Sequence, residues 1–486
     1  MENKKLIKFS MVLISGVILM IATTCVDLEE HPKDFVSPAN FYNTSSQIEA
    51  SFASALNRLY SYWNGYSYGL MNFENDDQMI DGQLVMSDSY GNGLWDMHYK
   101  SITDLNPAIQ ALNEDKLGSS ATQQTKEELL AEAKFYRAFN YFVLVRLYGD
   151  IPLITENTNV VTDKIVRAPI VEVYALIESD LLYAIEKLPD SRPSENQGRP
   201  TLDAARLLLA KVYITMATAP LNDPSYYVKA RDMAKEIMDA GNYSLVSDIN
   251  EVFNMENSYG PEMIWSFNAT EDDPATDPQI WTPASMADGW GDFKCDKIWA
   301  ESYPEEPRKH AYLLLEDWDG NPYTAFGWPI ATPGIKKFIY LPLEEIQRYR
   351  STQNYPILRY AEVLLIFAEA QNMVNNGPDQ AACDAVNQII NRANNDEINP
   401  ADPLLTTTMS KQAFDEAVIQ QRNLELCYEY DRWYDLIRKR ILYEKTIPAY
   451  QQNFTENDYL YPIPQADLRL NPLLTQNPGY TTPARN

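Results

Sequence analysis

Three histidines, at positions 31, 98 and 310, are the only imidazoles in the 486 residues. None of them forms the His-Glu-x-x-His pair of a zinc site, and the cysteine spacing fits no zinc motif either. Gly65-Tyr66-Ser67-Tyr68-Gly69 spells G-x-S-x-G. A nucleophile elbow needs a strand before that serine and a helix after it, whereas here a helical pattern comes first, which favours a plain Gly/Tyr loop. Carboxylates are more plentiful. Glu74, Asp76, Asp77 and Asp81 form one cluster, and Glu271, Asp272, Asp273 and Asp277 form another. A glycosidase would need two carboxyls held roughly 5–10 Å apart across a sugar. Solvated loop charge is the simpler account in an acidic chain. Asp317-Trp318-Asp319-Gly320 hints at calcium but lacks the spacing of an EF-hand loop. No phosphate loop or dinucleotide fingerprint is present. Neither a catalytic residue, a metal site nor a cofactor is expected.

Aromatic residues carry the strongest binding signal. Sugars present apolar C–H faces and hydroxyl edges, so a sugar site wants flat rings flanked by amides and carboxylates. Trp281, Trp290, Trp318, Tyr323 and Trp328 lie in Pro/Gly/Asp-rich sequence, where exposed rings are expected. Tyr66, Tyr68, Asn72, Asp76 and Asp77 make a second candidate edge. The competing account, that the rings pin irregular loops onto helices, holds as readily for any single ring. Trp95, Trp265 and Trp433 have regular apolar neighbours and belong to the core by that criterion. His98, between Trp95 and Tyr99, reads as packed helix surface. Arg422, Glu425, Glu429 and Arg432 lie three or four apart, which suits an ion-pair ladder along one helix face better than an acid/base pair.

The elements that must position these residues are mostly helical. Ile48, Phe52, Ala55, Leu56, Leu59 and Trp63 recur at helical spacing, as do Trp95, Tyr99, Ile102, Leu105, Ile109 and Leu112. A third helix starts near Thr125, with Glu128 completing a capping box, and stops at Gly149 with Pro152 beyond. Further helices fit 170–188, 201–219, 225–240, 356–376, 378–394 and about 410–440. Ala204, Ala205, Leu208, Val212 and Tyr213 look like half of a tetratricopeptide-type hairpin, although the 34-residue consensus is absent. A lone hairpin cannot bury its apolar face, whereas stacked hairpins can. Between 254 and 343 the helical period fades. Ten of the 30 prolines and six of the nine tryptophans fall in this stretch. Disordered segments are poor in large aromatics, so an ordered, loop-rich region is expected. The last ~40 residues read as extended and wrapped over the helical body.

The formal charge of −28 repels phosphate backbones and argues against a nucleic-acid partner. Lys4, Lys5 and Lys8 precede a short apolar run from Met11 to Ala22, the pattern of an export signal rather than a membrane span. Ile21-Ala22-Thr23-Thr24-Cys25 resembles a bacterial lipobox, with Thr24 where Gly, Ala or Ser is usual. Cys25 is therefore the expected lipidated residue. Asp27, Glu29 and Glu30 follow it and resemble a Bacteroidetes surface-export signal. Cys295, Cys383 and Cys427 cannot all pair within one chain, and the last two read as buried thiols. The expected organisation is a signal peptide (1–24), an acidic tether (25–45), a helical region (46–250), a loop-rich aromatic region (251–345) and C-terminal helices with an extended tail (346–486).

Several segments together resemble the SusD/RagB family of outer-membrane lipoproteins. The strongest runs from Ala133-Lys134-Phe135-Tyr136-Arg137 through Leu144-Val145-Arg146-Leu147-Tyr148-Gly149-Asp150-Ile151-Pro152. Leu209-Ala210-Lys211-Val212-Tyr213 and Leu358-Arg359-Tyr360-Ala361-Glu362 follow, then Arg422-Asn423-Leu424-Glu425-Leu426 and Asp431-Arg432-Trp433-Tyr434-Asp435. Tyr461-Pro462-Ile463-Pro464 and Asn477-Pro478-Gly479-Tyr480 close the series. The resemblance implies a mainly α fold of tetratricopeptide-like helix pairs with a loop-rich, aromatic-rich ligand-binding face. It also implies an outer-membrane, cell-surface location and a TonB-dependent SusC-like transporter as partner, with an oligosaccharide or another nutrient as ligand. The matching motifs belong to the scaffold and do not name the ligand. An all-α glycoside hydrolase and a tetratricopeptide-type interaction scaffold are the alternatives.

Overall fold

The computed structural model describes residues 41–63, 91–270, 278–286, 289–328, 331–339, 351–445 and 455–481. Cys25, the export signal and most of the tether lie outside them, as do Tyr66, Tyr68, Asn72, Asp76 and Asp77 and the two acidic clusters. Residues 42–486 form one unit.

The central element is α3 (Gln123–Tyr148), preceded by α1 (Ser45–Trp63) and α2 (Gly91–Asn113). The Thr122 hydroxyl caps α3 by accepting the Thr125 N–H at 3.1 Å. The cap is thus one turn earlier than the Thr125–Glu128 pattern suggests. Gly149 ends the helix with φ +72, a left-handed conformation that favours glycine, and its N–H donates to Val145 O at 3.1 Å. From Ala131 onward α3 is buried on nearly every side, as a helix at the centre of an array must be.

Next come α4 (Ile170–Lys187), α5 (Leu202–Met216) and α6 (Tyr226–Ala240). Each of α1 to α5 packs on its successor, and α6 packs on α9 (Tyr360–Asn375). In turn α9 carries α10 (Gln380–Ala393) and α11 (Lys411–Glu425). The helix pairs therefore form one array, interrupted in sequence but not in space by residues 241–359. This is the mainly α, tetratricopeptide-like arrangement expected. Stacking buries Ala204, Ala205, Leu208 and Val212 of α5 completely or nearly so.

The interruption is held at its ends by two antiparallel strands, β3 (Met263–Phe267) and β6 (Tyr355–Arg359). Two-residue strands β1 (Ile151–Pro152) and β2 (Arg167–Ala168) pair after α3. Inside the interruption lie α7 (Lys297–Ser302), α8 (Pro307–Tyr312) and the paired β4 (Leu313–Leu314) and β5 (Gly334–Ile335). After α11 the chain forms α12 (Arg432–Arg438), α13 (Leu442–Lys445) and, in the tail, the short α14 (Gln465–Leu470). The tail lies on the end of α3: Tyr461 N–H donates to Leu147 O at 2.7 Å and Asn477 Nδ2 to Tyr148 O at 3.0 Å. Among the described residues no helix is long and apolar enough to cross a membrane.

Candidate ligand-binding site

The loop-rich body stands on a buried layer of charge. Glu425, at the end of α11, meets Arg308 at 3.3 Å, Arg359 at 2.9 Å and Arg392 at 2.7 Å, and accepts the Tyr312 hydroxyl at 2.8 Å. Burial alone would raise its pKa, but Arg392, Arg359 and Arg308 overcome that and hold it well below the usual carboxylate range. Glu262 bridges Arg359 and Arg392, and Glu429 bridges Arg359 and Lys337. The i,i+4 ladder expected for Arg422, Glu425, Glu429 and Arg432 is not what forms. Helix α11 stops at Glu425, and Tyr428 and Tyr430 take left-handed φ values of +62 and +66, so Glu429 and Arg432 leave its face. Arg422 pairs with Glu362 and Asp435 instead. The charges are structural, as expected, but their partners are distant in sequence.

Above this layer runs a column of aromatic rings. Trp281 lies 4.9 Å from both Phe293 and Phe338, Phe338 stacks on Tyr355 at 4.6 Å, and Tyr355 on Tyr430 at 5.4 Å. Trp281 is 0% exposed and cannot serve as a surface platform. Its expected role as an exposed ring is corrected here: it anchors the loops from beneath, because β6 and the α11–α12 turn supply rings to pack against.

Two other tryptophans are presented outward. The 289–293 segment is clipped to its predecessor by Trp290 N–H to Gln279 O at 2.8 Å and Phe293 N–H to Ile280 O at 2.9 Å. A Cβ at Gly289 would sit 2.1 Å from the Thr282 carbonyl oxygen, so only glycine allows this closeness. Gly291 has φ +62, and a Cβ there would lie 2.6 Å from Nε1 of Trp328. Between these glycines Trp290 is 49% exposed. Trp328 is partly buried, edge-on to Phe326 at 5.5 Å, and its Nε1 has no hydrogen-bond partner.

Trp318 sits 47% exposed at the tip of a hairpin that leaves β4. Tyr323 N–H donates to Leu315 O at 2.8 Å and Asp317 N–H to Asn321 O at 2.9 Å. The Asp317 carboxylate accepts the Asp319 N–H at 3.0 Å, the Asn321 N–H at 2.8 Å and Asn321 Nδ2 at 2.9 Å. The Asn321 bonds hold its pKa below the ordinary value. The Asp317–Gly320 run is thus a self-satisfied turn that displays a ring. Among the described residues no group of three or more His, Cys, Asp or Glu is placed to hold a metal. Tyr323 starts the next turn and is partly buried against the core.

One concavity was not apparent from the sequence. A groove of about 480 Å³ lies between residues 190–201 and 242–266, lined by Arg192, Arg199, Asn242, Tyr243 and the half-exposed Tyr259. Both arginines donate to Glu132 of α3, at 3.4 and 2.6 Å. Its polar side chains come from loops with no periodic signal. Trp95, Trp265 and Trp433 are buried as expected. His98 differs: it is fully buried, with Nδ1 2.7 Å from Asn140 Oδ1, and burial lowers its pKa to about 4. Cys383 and Cys427 are buried, and so is Cys295.

The sequence matches the family model described as SusD family over residues 231–480, and one described as starch-binding associating with outer membrane over residues 30–214. SusD-like protein P2 of Formosa agariphila is 28% identical over 518 residues, covering 96% of this chain and 98% of that one. A laminarin-binding SusD-like protein superposes with a TM-score of 0.75 at 21% identity, over 90% of this chain and 100% of that one. Surface glycan-binding protein A from Bacteroides uniformis gives a TM-score of 0.74 at 21% identity, over 89% and 99% of the two chains.

Proposed function

The chain belongs to the SusD family, and from that premise we propose that it is a cell-surface lipoprotein that captures an oligosaccharide and delivers it to a TonB-dependent SusC-like transporter. The observation that carries the ligand class is the presentation of Trp290 and Trp318, each half-exposed on a glycine-bounded or hydrogen-bond-locked turn. Rings held on stiff backbone lose little entropy when a sugar face stacks on them. Trp328 and Tyr323 complete the face from partly buried positions, with Tyr66, Tyr68, Asn72, Asp76 and Asp77 as the second edge of the site. The names of the laminarin-binding and surface glycan-binding proteins of the same fold support a glycan ligand. Anchoring falls to Cys25, next to the acidic stretch beginning at Asp27. On this reading the protein binds and does not cleave; the buried carboxylates Glu262 and Glu425 are tied to arginines.

Affinity electrophoresis through gels containing laminarin, starch or other polysaccharides tests this. The protein should be retarded on at least one of them, release no reducing ends, and bind with little dependence on salt, because stacking is non-ionic. Trp290→Ala and Trp318→Ala should each weaken retention about thirtyfold, the equivalent of ~2 kcal/mol. Retention on no glycan would sink the proposal. Normal retention by every ring variant from 281 to 328 would move the site to the Tyr66–Asp77 edge.

A further inference from the structure

A cavity of about 440 Å³ lies where the end of α3 meets α5, α12 and the tail, and the glycan reading does not use it. Its volume falls within the range of small-ligand sites. One wall is Arg146. Its guanidinium carbon lies 3.7 Å from the ring centroid of Phe142 and 3.4 Å from that of Tyr434. Nε donates to Phe142 O at 3.0 Å. The two terminal amino groups, with four N–H donors, meet no acceptor and no carboxylate among the described residues. The fully buried guanidiniums are paired with carboxylates: Arg137 meets Asp180, Arg308 meets Glu306, Arg359 meets Glu262, and Arg438, which also lines this cavity, meets Glu369.

Two neighbours reinforce the point. Tyr434 lines the same cavity, is 6% exposed, and its hydroxyl has no hydrogen-bond partner. Arg167, also on the wall, donates to uncharged oxygens: Asp150 O, Tyr148 O, Thr475 O and Oγ1, and Asn477 Oδ1. Arg146, Arg167, Arg438 and Arg440 thus line one cavity that holds only Asp150 and Glu456 as carboxylates, and neither Arg146 nor Arg167 contacts a carboxylate among the described residues, in a chain whose formal charge is −28. Arg146 and Arg167 are only partly buried, and the excess of guanidinium over carboxylate on this wall suits an anion that supplies acceptors to the terminal donors of Arg146. The rest of the wall is mixed: Ile170, Pro220 and Ile437 offer hydrocarbon, and Tyr174, Thr215 and Tyr459 also line it.

We propose that this cavity binds a small organic carboxylate with an apolar body, its carboxylate on the terminal amino groups of Arg146 beside the Tyr434 ring. An acidic sugar shares the carboxylate but not the apolar body, and the test separates the two. Isothermal titration of the protein with 3-phenylpropionate should show one saturable site, weakened several-fold between about 50 and 500 mM sodium chloride. The neutral amide of the same acid, and glucuronate, should each bind about tenfold or more weakly. Arg146→Met should cost the acid about tenfold or more. Because Arg146 also stacks on two rings, Ile170→Trp provides a second variant at a partly exposed position. It fills the cavity, leaves both donors in place, and should abolish binding with an unchanged circular-dichroism spectrum. No binding of the acid up to about 10 mM, equal binding of acid and amide, tighter binding of glucuronate, or full binding by Ile170→Trp would each overturn the proposal. The first of these would leave water as the occupant.

Discussion

The ammonium of Lys211 in α5 lies 2.9 Å from Glu362 Oε2 in α9, a partner 151 residues away in sequence. The same group meets Asp431 at 2.9 Å. One cation therefore joins the helices on either side of the loop-rich interruption. It also shows what the family motifs around Lys211, Glu362 and Asp431 do: they place complementary charges that meet only when the array closes. Lys211→Met should strand the buried Asp431 carboxylate, leave Glu362 with Arg422 alone, and cost ~3–5 kcal/mol in urea unfolding. A loss below about 1 kcal/mol would mean the charges are solvated.

His98 should contribute a pH dependence of definite sign. The unfolded chain takes up a proton near 6.5, while the native site resists until about 4. Between those values the unfolded state binds more protons. The contribution is therefore complete above pH 6.5 and declines as pH falls, levelling off near 4, for a total of roughly 3 kcal/mol. Urea midpoints at about pH 7 and 4.5 should converge more in His98→Gln than in the parent chain. Equal acid slopes would show that His98 takes its proton in the folded protein.

Two tryptophans of the same region should separate into opposite phenotypes. Trp281→Ala leaves a hole between Phe293 and Phe338 and should lower stability by ~3–5 kcal/mol. Trp318→Ala removes a ring from a turn tip and should change stability by about 0.5 kcal/mol or less while weakening glycan retention. Thermal unfolding of both variants is the check. A strongly destabilised Trp318→Ala would make that ring a loop anchor rather than a platform.

Cys25 should hold the protein on the membrane. The Cys25→Ala variant is expected in the soluble fraction after cell lysis, and the parent chain in the membrane pellet. Equal membrane retention of the two would rule out Cys25 as the anchor.

What the sequence determined by itself is local or additive. Helical periodicity located 170–188 and 225–240 within a residue or two of α4 and α6, because burying one face of a helix leaves a repeat that survives in the linear order. The fading of that repeat after residue 250, together with the concentration of tryptophan there, marked the loop-rich body. Charge, the leader pattern and the family motifs could likewise be read without coordinates. Tertiary structure alone decided which ring faces water. Trp281, Trp290 and Trp318 share the same kind of Pro/Gly/Asp-rich context, yet only Trp281 finds Phe293 and Phe338 to pack against. The partners of Glu425 and of Lys211, the burial of His98 and the unmatched donors of Arg146 were equally beyond reach. Each depends on residues tens to hundreds of positions apart, and a buried charge or ring is defined by what surrounds it in space, which linear spacing does not record.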